Sequence, residues 1–201
     1  MKSINFLIFD IGGVLVNHFA SLRRIAHQLD LSEEKTISLF KKYTDDLDSG
    51  RLSWTKFEHI FYDSLQPTSH LHESLLEAFI NNFMIIEETH RFITEIKSRF
   101  KIGILSNMDR DVYRYVQKRH CIPDIVYCCE VISAEVGFIK PDRKIFEYTL
   151  QVIKARPEEV LFIDDKIENI QGARQAGWNG TVFDTQNPSI SISQIKKLLI
   201  I

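Results

Sequence analysis

The sequence predicts an α/β fold, a doubly wound and Rossmann-like parallel sheet with a helical bundle inserted after the first strand. Three short apolar runs end on small or acidic polar residues, at Phe6–Phe9, Ile102–Leu105 and Val160–Ile163. Short apolar runs bounded by turn residues are typical of buried strands. Helical patterns separate the runs, and alternation of strands and helices is typical of a parallel sheet.

The first run ends on a carboxylate, Asp10, and then turns through Gly12 and Gly13. A buried strand normally excludes charge, and glycines let the backbone come close to a ligand beyond the strand end. Asp10 is therefore a candidate nucleophile. The alternative interpretation is that Asp10 only caps the turn.

The stretch from about Val16 to Thr89 predicts helices alone. Ser32 and Ser53 precede helical patterns in the way that N-cap residues do, and four apolar residues further along repeat at helical spacing: Leu71, Leu75, Leu76 and Phe79. Such a stretch cannot belong to the sheet. We therefore expect a core domain of residues 1–15 and 90–201 and a helical cap domain of residues 16–89.

Strand and helix patterns alternate again after this stretch. Helices are expected at Glu87–Phe100, Arg110–His120, Asp142–Lys154 and Lys166–Ala176, the last closed by Gly177. Polar residues follow the second and third apolar runs, and a lysine precedes the third of these helices: Ser106, Asn107, Asp164, Asp165 and Lys140. Ligands of open α/β sheets bind at the carboxyl ends of the strands. These side chains should meet Asp10 in one site.

The order Asp10, Ser106, Lys140, Asp164-Asp165 resembles the four motifs of the haloacid dehalogenase-like (HAD) hydrolase superfamily. The resemblance extends from Phe6 to about Gly177, and the motifs are specific as a set. The Ile-Gly-Gly form of the first motif and Asp-Asp-Lys-Ile-Glu-Asn in the fourth look most like the branch of α-D-glucose-1-phosphate phosphatases. The inserted helices would then correspond to a C1 cap.

The resemblance implies a role for each motif residue. Asp10 would attack phosphorus and form an aspartyl-phosphate. Asp10, Asp165 and the main-chain carbonyl of Gly12 would ligate Mg²⁺, which prefers oxygen ligands. Ser106 and Lys140 would assist catalysis, and together with Asn107 they would bind the phosphate. Asp164 and Asn169 would orient Asp165 or metal-bound water, although Asp164 could instead be a direct ligand or a helix cap.

One position departs from the usual phosphatase pattern. Many phosphatases of the superfamily carry a second aspartate two residues after the nucleophile, where it serves as general acid and base, and here that position is Gly12. General acid–base catalysis typically contributes about 10²–10⁴-fold. Its substitute could be bound water or a side chain from a short list of candidates: His18, Asp48, Arg51 and His59. An ordinary hydrogen-bonded or exposed side chain is the alternative interpretation for each.

Three functions follow from these patterns. The first is a Mg²⁺-dependent phosphatase of a small phosphorylated metabolite, with sugar phosphates first and glucose-1-phosphate as the leading substrate. The second is a metal-independent 2-haloacid dehalogenase, since halide leaves without a proton. The third is a phosphate-binding module that lost turnover at Gly12. The Asp164-Asp165 doublet favours the first, because two carboxylates beside the nucleophile need a cation.

Composition excludes other classes of function. The 201 residues carry a formal charge of −2, which gives no case for a nucleic-acid partner, and no apolar run is long enough to span a membrane. Cys121, Cys128 and Cys129 lack metal-type spacing and suit a reducing cytosol. His70 and His72 resemble a metal pair, but a surface turn is favoured. We expect a soluble cytoplasmic protein, whose oligomeric state the sequence does not predict.

Overall fold

The computed structural model of the protein describes residues 4–200. Residues 1–3 and 201, which the expected core domain includes, lie outside the described part. Seven strands occur in this part: β1 Phe6–Phe9, β2 Val16–Asn17, β3 Met84–Ile85, β4 Lys101–Ser106, β5 Glu130–Ile132, β6 Val160–Asp164 and β7 Asn179–Val182.

Ten α-helices and one 3₁₀ turn, Pro157–Glu159, connect these strands within residues 4–200. The helices are α1 Ser21–Gln28, α2 Glu33–Asp48, α3 Trp54–Leu65, α4 Leu75–Asn81, α5 Glu87–Ile96, α6 Arg110–Lys118, α7 Ser133–Val136, α8 Arg143–Ile153, α9 Ile167–Gln175 and α10 Pro188–Leu199.

Five strands form one parallel sheet in the order β5-β4-β1-β6-β7. Strand β1 lies at the centre, where Phe9 is in register with Ile104 of β4 and Ile163 of β6. The chain winds outward from β1 in both directions, so the crevice above its carboxyl end is the topological switch point of the sheet. The expected doubly wound α/β fold is therefore confirmed.

Alternate residues of β1 pack on opposite faces of the sheet, as the two-residue period of a strand requires. Leu7 and Phe9 join a large apolar cluster that includes Phe92 of α5. Phe6 and Ile8 join a second cluster with Phe146 of α8. Burial on both faces explains why β1 reads as a continuous apolar run in the sequence.

The prediction that residues from Val16 to Thr89 form helices alone is wrong at both ends. Strands β2 and β3 pair there in antiparallel orientation, with Val16 opposite Ile85 and Asn17 opposite Met84. Each strand has two residues, which is too short for a two-residue period to be recognised. The pair joins the chain entering helices α1–α4 to the chain leaving them.

The helix starts within this stretch are confirmed for α2 and α3. Ser32 accepts a hydrogen bond from the Lys35 amide, and Ser53 accepts one from the Lys56 amide. Leu71, in contrast, lies before α4, which begins after the N-cap Ser74. The expected Glu87–Phe100 helix also ends early, because α5 stops at Ile96.

The inserted helices enclose an aromatic core. Phe57, Phe61 and Phe79 are each 6% exposed or less, so these rings pack inside the bundle. Phe40 stacks on Phe79 with ring centroids 5.2 Å apart, and Trp54 lies at the same distance from Phe79. Across residues 4–200, the helices all fall short of the length and apolar character that crossing a membrane requires.

Candidate active site

The carboxyl ends of three neighbouring strands bring the predicted site together. Asp10 directly follows β1, Ser106 ends β4 and Asp164 ends β6. The Asp10 amide donates to the Ile163 carbonyl at 2.9 Å, so the sheet ladder itself fixes the nucleophile candidate. Residues 96 and 154 positions apart in the sequence thereby become neighbours of Asp10.

Lys140 links these strand ends from below. Its side chain is fully buried, and its Nζ lies 3.0 Å from Asp10 Oδ1 and 2.7 Å from Asp164 Oδ2. The Leu105 carbonyl accepts a third hydrogen bond from Nζ at 3.0 Å. Three acceptors match the three protons of an ammonium group, so the cation is held in one position.

Asn107 holds the backbone of Lys140. Its Nδ2 donates to the Lys140 carbonyl at 2.9 Å, and the Lys140 amide donates to its Oδ1 at 2.7 Å. The side chain expected to bind phosphate is thus engaged in fixing the lysine. Sequence reasoning brought Asn107 to the site but did not identify this contact.

The two carboxylate oxygens of Asp10 differ. Oδ1 accepts from Ser106 Oγ at 2.6 Å and from the Ile11 amide at 2.7 Å, in addition to Lys140 Nζ. Among residues 4–200, no group donates to Oδ2. Three donors on one oxygen orient the carboxylate and leave the other oxygen available to a ligand or an electrophile.

Asp164 and Asp165 also differ, although they are adjacent. Both oxygens of Asp164 are engaged, by Lys140, by Asn169 Nδ2 at 3.0 Å to each oxygen, and by the Lys166 amide at 2.8 Å. Asp165 Oδ1 is buried and has no hydrogen-bond partner in the described chain. Asn169, in the first turn of α9, therefore orients Asp164 and not Asp165.

The two glycines of the first motif make room for different neighbours. Gly13 has φ +76°, and a side chain there would collide with the Asp165 carboxylate. A Cβ at Gly12 would lie 3.0 Å from His18 Cε1 and 3.3 Å from His18 Nδ1. The glycine in place of the usual acid–base aspartate is thus matched by a histidine ring beside it.

Burial dominates the electrostatics of the acidic groups. It raises the pKa of Asp10, which the Lys140 charge opposes and the Asp164 charge supports. Burial, with the charges of Asp10 and Asp164, raises the pKa of Asp165 to about 7. Burial would lower the pKa of Lys140, but Asp10 and Asp164 outweigh it and the pKa lies above its ordinary value. The lysine therefore remains charged.

A cavity of about 120 Å³ opens above these groups, between the sheet and the inserted helices. Asp10, Ser106 and Asp165 line its floor. Apolar side chains of the inserted segment and α6 line much of the rest: Val16, Phe40, Leu47, Trp54, Phe79, Phe83 and Val112. His18, Asp48 and Lys166 are among its polar walls. Lys140 and Asp164 lie beneath this lining and do not form part of it.

Two of the substitutes considered for the missing acid lie outside the cavity. Arg51 is exposed and pairs with Asp46, its NH2 2.8 Å from Asp46 Oδ1. His59 is exposed on α3. His70 and His72 are exposed in the connection between α3 and α4, and they belong to no metal-type cluster within the described chain.

Sequence reasoning missed three residues that shape the site. Lys166 lines the cavity, Thr185 Oγ1 donates to the Gly13 carbonyl at 2.6 Å, and Ser133 accepts the Met108 amide at 2.9 Å. Lys166 lies within the fourth motif, so the sequence alone could have identified it. Thr185 and Ser133 act from loops and a short helix whose positions only the folded chain fixes.

The acidic groups suit a divalent cation. Asp10, Asp164 and Asp165 each offer a carboxylate oxygen, and these oxygens lie within 4.8 Å of one another. Placing three carboxylates beside one lysine leaves negative charge uncompensated, and Asp165 Oδ1 has no hydrogen-bond partner in the described chain. Carboxylate oxygens are the ligands that Mg²⁺ prefers.

Comparison with protein families gives a match to the haloacid dehalogenase-like hydrolases over residues 4–177. The pyrophosphatase PpaX of Bacillus anthracis is 23% identical, with 98% of this chain and 96% of that protein covered. An uncharacterised protein of Saccharomyces cerevisiae is 28% identical over 73% of this chain, and the match spans only 57% of the yeast protein.

Solved structures show the same fold. A predicted HAD-like family hydrolase from Porphyromonas gingivalis superposes with a TM-score of 0.78 at 24% identity, covering 98% of both chains. A HAD family enzyme from Bacteroides thetaiotaomicron, solved in complex with magnesium and inorganic phosphate, gives a TM-score of 0.70 at 18% identity. That match covers 91% of this chain and 96% of the other. At these identities the likeness establishes the fold.

Proposed function

The chain belongs to the haloacid dehalogenase-like hydrolase family, and we propose that within it the protein is a Mg²⁺-dependent phosphatase of a small phosphorylated metabolite. Asp10 is the nucleophile of this proposal. The observation that supports it is Asp165, a half-buried carboxylate beside the nucleophile whose Oδ1 has no partner in the described chain and which suits a cation. A metal-free dehalogenase would leave that charge uncompensated.

The hydrogen bonds around Asp10 support nucleophilic attack on phosphorus. Ser106, Lys140 and the Ile11 amide hold Oδ1, which leaves Oδ2, without a donor among residues 4–200, as the oxygen that attacks. Attack forms the aspartyl-phosphate as the ester P–O bond breaks, and water then cleaves the new P–O bond to release phosphate. The buried charge of Lys140 offsets the negative charge that gathers at Asp10 during both steps.

Asp10, Asp165 and the Gly12 carbonyl are the proposed Mg²⁺ ligands, and Mg²⁺ would supply charge neutralisation for the approaching phosphate dianion. The Gly12 carbonyl accepts no hydrogen bond from any described residue, which leaves it free for this role. Asp164 is proposed as an outer group, because Lys140, Asn169 and the Lys166 amide already occupy both its oxygens. Ser106 and the Asn107 backbone are proposed to contact the phosphoryl oxygens.

The substrate is proposed to be small, with sugar phosphates first and glucose-1-phosphate as the leading compound. The helices of residues 16–89 form the proposed cap domain over the cavity, where Phe40, Trp54 and Phe79 give an apolar lining that a sugar ring can contact. Pyrophosphate is a further compound to test, since the matched Bacillus protein is a pyrophosphatase. We propose a cytoplasmic location, consistent with the free thiols of Cys121, Cys128 and Cys129.

Phosphate release tests the proposal. A panel of sugar phosphates, phosphoglycolate, nucleoside monophosphates, pyrophosphate and p-nitrophenyl phosphate is assayed with Mg²⁺ and with EDTA. Asp10→Asn is the blank, and Asp124→Asn, an exposed aspartate, is the matched control. We expect release that needs Mg²⁺, that Asp124→Asn retains, and that Asp10→Asn reduces by roughly 10⁴-fold or more, as loss of a nucleophile does in other enzymes.

Two results would overturn the proposal. Chloride release from 2-chloropropionate in EDTA, with no phosphate release, would favour the dehalogenase. Binding of Mg²⁺ and inorganic phosphate by calorimetry, with no turnover of any compound, would favour a binding module.

A further inference from the structure

The proposed phosphatase lacks a proton donor at its usual position. Gly12 has no side chain, and His18 occupies the adjoining space. An alkoxide leaving group needs a proton as its bond to phosphorus breaks, and the water that follows must lose one. If the proposed function is right, another cavity residue supplies both transfers.

Asp48 is placed to do so. It is the last residue of α2 and lines the same cavity as Asp10, Gly12 and Asp165, from the side of the inserted helices. Asp10 reaches this cavity from the sheet, whereas Asp48 reaches it from the inserted helices. In-line displacement places the leaving oxygen on the side of phosphorus away from Asp10, so the proton donor is needed on a wall of the cavity other than the sheet.

The backbone around Asp48 is fixed to the core of the protein. The Asp48 carbonyl accepts a hydrogen bond from Ser133 Oγ, which also accepts the Met108 amide at 2.9 Å. Gly50, with φ +74°, lets the chain approach α7, since a Cβ there would lie 2.9 Å from the Ala134 carbonyl oxygen. Two contacts with α7 thus hold the end of α2 against the core of the protein.

The carboxylate of Asp48 is not used for structure. No residue between 4 and 200 donates a hydrogen bond to it, whereas its neighbour Asp46 is paired with Arg51. Burial raises the pKa of Asp48 to about 7, with Lys166 and Lys140 opposing the shift and Asp10 and Asp45 supporting it. A carboxyl group that gains and loses a proton near neutrality suits both transfers.

His18 is the competing candidate, and its surroundings oppose the role. Its ring packs against Phe19 and Phe83, with centroids 4.9 and 6.0 Å away. Burial and the Lys166 charge lower its pKa to about 4. At neutral pH the imidazole is therefore neutral and a poor proton donor.

We propose that Asp48 is the general acid and base of the reaction. Its carboxylic acid gives a proton to the leaving oxygen while Asp10 Oδ2 bonds to phosphorus and the ester P–O bond breaks. The resulting carboxylate takes a proton from water as the water oxygen attacks phosphorus and the bond to Asp10 breaks. Asp48 ends protonated and Asp10 ionised, so the cycle closes.

Rapid-mixing kinetics with Asp48→Asn test the role. p-Nitrophenolate leaves without a proton, so we expect an unchanged burst of p-nitrophenolate, followed by slowed turnover and an accumulated phosphoenzyme in acid-quenched mass spectra. With an alkyl phosphate that the wild type hydrolyses, the first step itself should slow by about 10²–10⁴-fold. Asp63→Asn, at an exposed position of α3, is the matched control and should behave as the wild type in both assays.

Equal slowing of the first step for both substrates would overturn the role, as would wild-type turnover of the alkyl phosphate by Asp48→Asn. Asp48→Glu retains the acid and should recover much of the alkyl-phosphate rate. If Asp48→Asn loses its helical circular dichroism, Asp48→Glu decides the question instead. The role would then be overturned if Asp48→Glu hydrolysed the alkyl phosphate as slowly as Asp48→Ser does. If the wild type releases no phosphate, the proposed function itself is contradicted. If the wild type releases phosphate with Mg²⁺ and Asp48→Asn does so at the same rates, only this inference is contradicted.

Discussion

The two sides of the cavity are built in different ways. On the sheet side, Asp10, Lys140 and Asp164 form a buried network in which the lysine and both oxygens of Asp164 have partners. On the helical side, the side-chain carboxylate of Asp48 has no hydrogen-bond partner in the described chain, and His18 lies among aromatic rings. A fixed network on one side preorganises the charges, while unpartnered groups on the other remain free to contact a substrate.

Two adjacent residues, Asp164 and Asp165, show the same difference between partnered and unpartnered groups. Asp164 is satisfied by the network and fully buried, whereas Asp165 Oδ1 has no partner among residues 4–200. We therefore expect the two aspartates to have opposite effects on the stability of the protein. Asp164 pairs with a buried lysine, whereas Asp165 adds a negative charge without a hydrogen-bond partner for Oδ1 in the described chain.

The largest effect is expected from a substitution that breaks the sheet-side network. Asp164→Ala removes one of the two carboxylates that pair with buried Lys140 and should lower the free energy of unfolding by about 3–5 kcal/mol. Guanidinium unfolding in EDTA measures it, with the exposed Asp124→Ala expected within about 0.5 kcal/mol of the wild type.

Asp165→Asn should behave in the opposite way in the same assay. The variant removes an unpaired charge, so its stability in EDTA should equal or exceed that of the wild type. Mg²⁺ should raise the unfolding midpoint of the wild type but not that of the variant. A loss of several kcal/mol for Asp165→Asn would contradict the contrast between the two aspartates.

The two glycines sharpen the comparison further. Gly13→Ala meets both a positive φ and the Asp165 carboxylate, whereas Gly12→Ala meets only the edge of the His18 ring. We expect Gly12→Ala to cost about 1 kcal/mol and Gly13→Ala more, within the roughly 1–3 kcal/mol typical of overpacking. In a His18→Ala background the cost of Gly12→Ala should shrink, which a double-mutant cycle measures. An unchanged cost would show that His18 does not limit the space at Gly12.

The pH dependence of stability tests the helical side. The pKa of His18 is about 4 in the folded protein, below its ordinary 6.5, so the unfolded chain binds more protons between these values. Its stabilising contribution is complete above pH 6.5 and is lost as the pH falls towards 4. Relative to His18→Gln, the wild type should lose about 1–3 kcal/mol between pH 7 and pH 4 in unfolding experiments in EDTA. Parallel curves for the two proteins would mean that folding does not lower the pKa of His18.

The smallest effect is expected at Arg51. Its ion pair with Asp46 is exposed at the surface, so Arg51→Ala should change the free energy of unfolding by less than about 1 kcal/mol. Phosphate release by this variant should match that of the wild type for every substrate. A raised KM would instead place Arg51 in contact with substrate.

The sheet side of the site could be predicted because its parts are local. Asp10, Ser106 and Asp164 each end or follow an apolar run, and the carboxyl ends of parallel strands meet by geometry alone. Strands β5 and β7, by contrast, were not predicted. Glu130–Ile132 follows an irregular segment, and Asn179–Val182 is polar at its start and only partly buried.

On the helical side, the sequence predicts the helices but not which of their residues line the cavity. Ser32 and Ser53 mark the starts of α2 and α3 because a cap acts within one turn. Which residues of these helices face the cavity depends on how the bundle sits on the sheet. Asp48, Arg51 and His59 were equal candidates in the sequence, and packing separated them.

The sequence by itself determined the fold class, the family and the three strand-end motifs, since these depend on local patterning and on the order of residues along the chain. The tertiary structure decided which side chains of the site contact one another. It showed that Lys140 lies beneath the cavity, that Asn169 serves Asp164, and that Gly12 leaves room for His18. Such contacts join residues far apart in sequence, and their distances exist only once the core has packed.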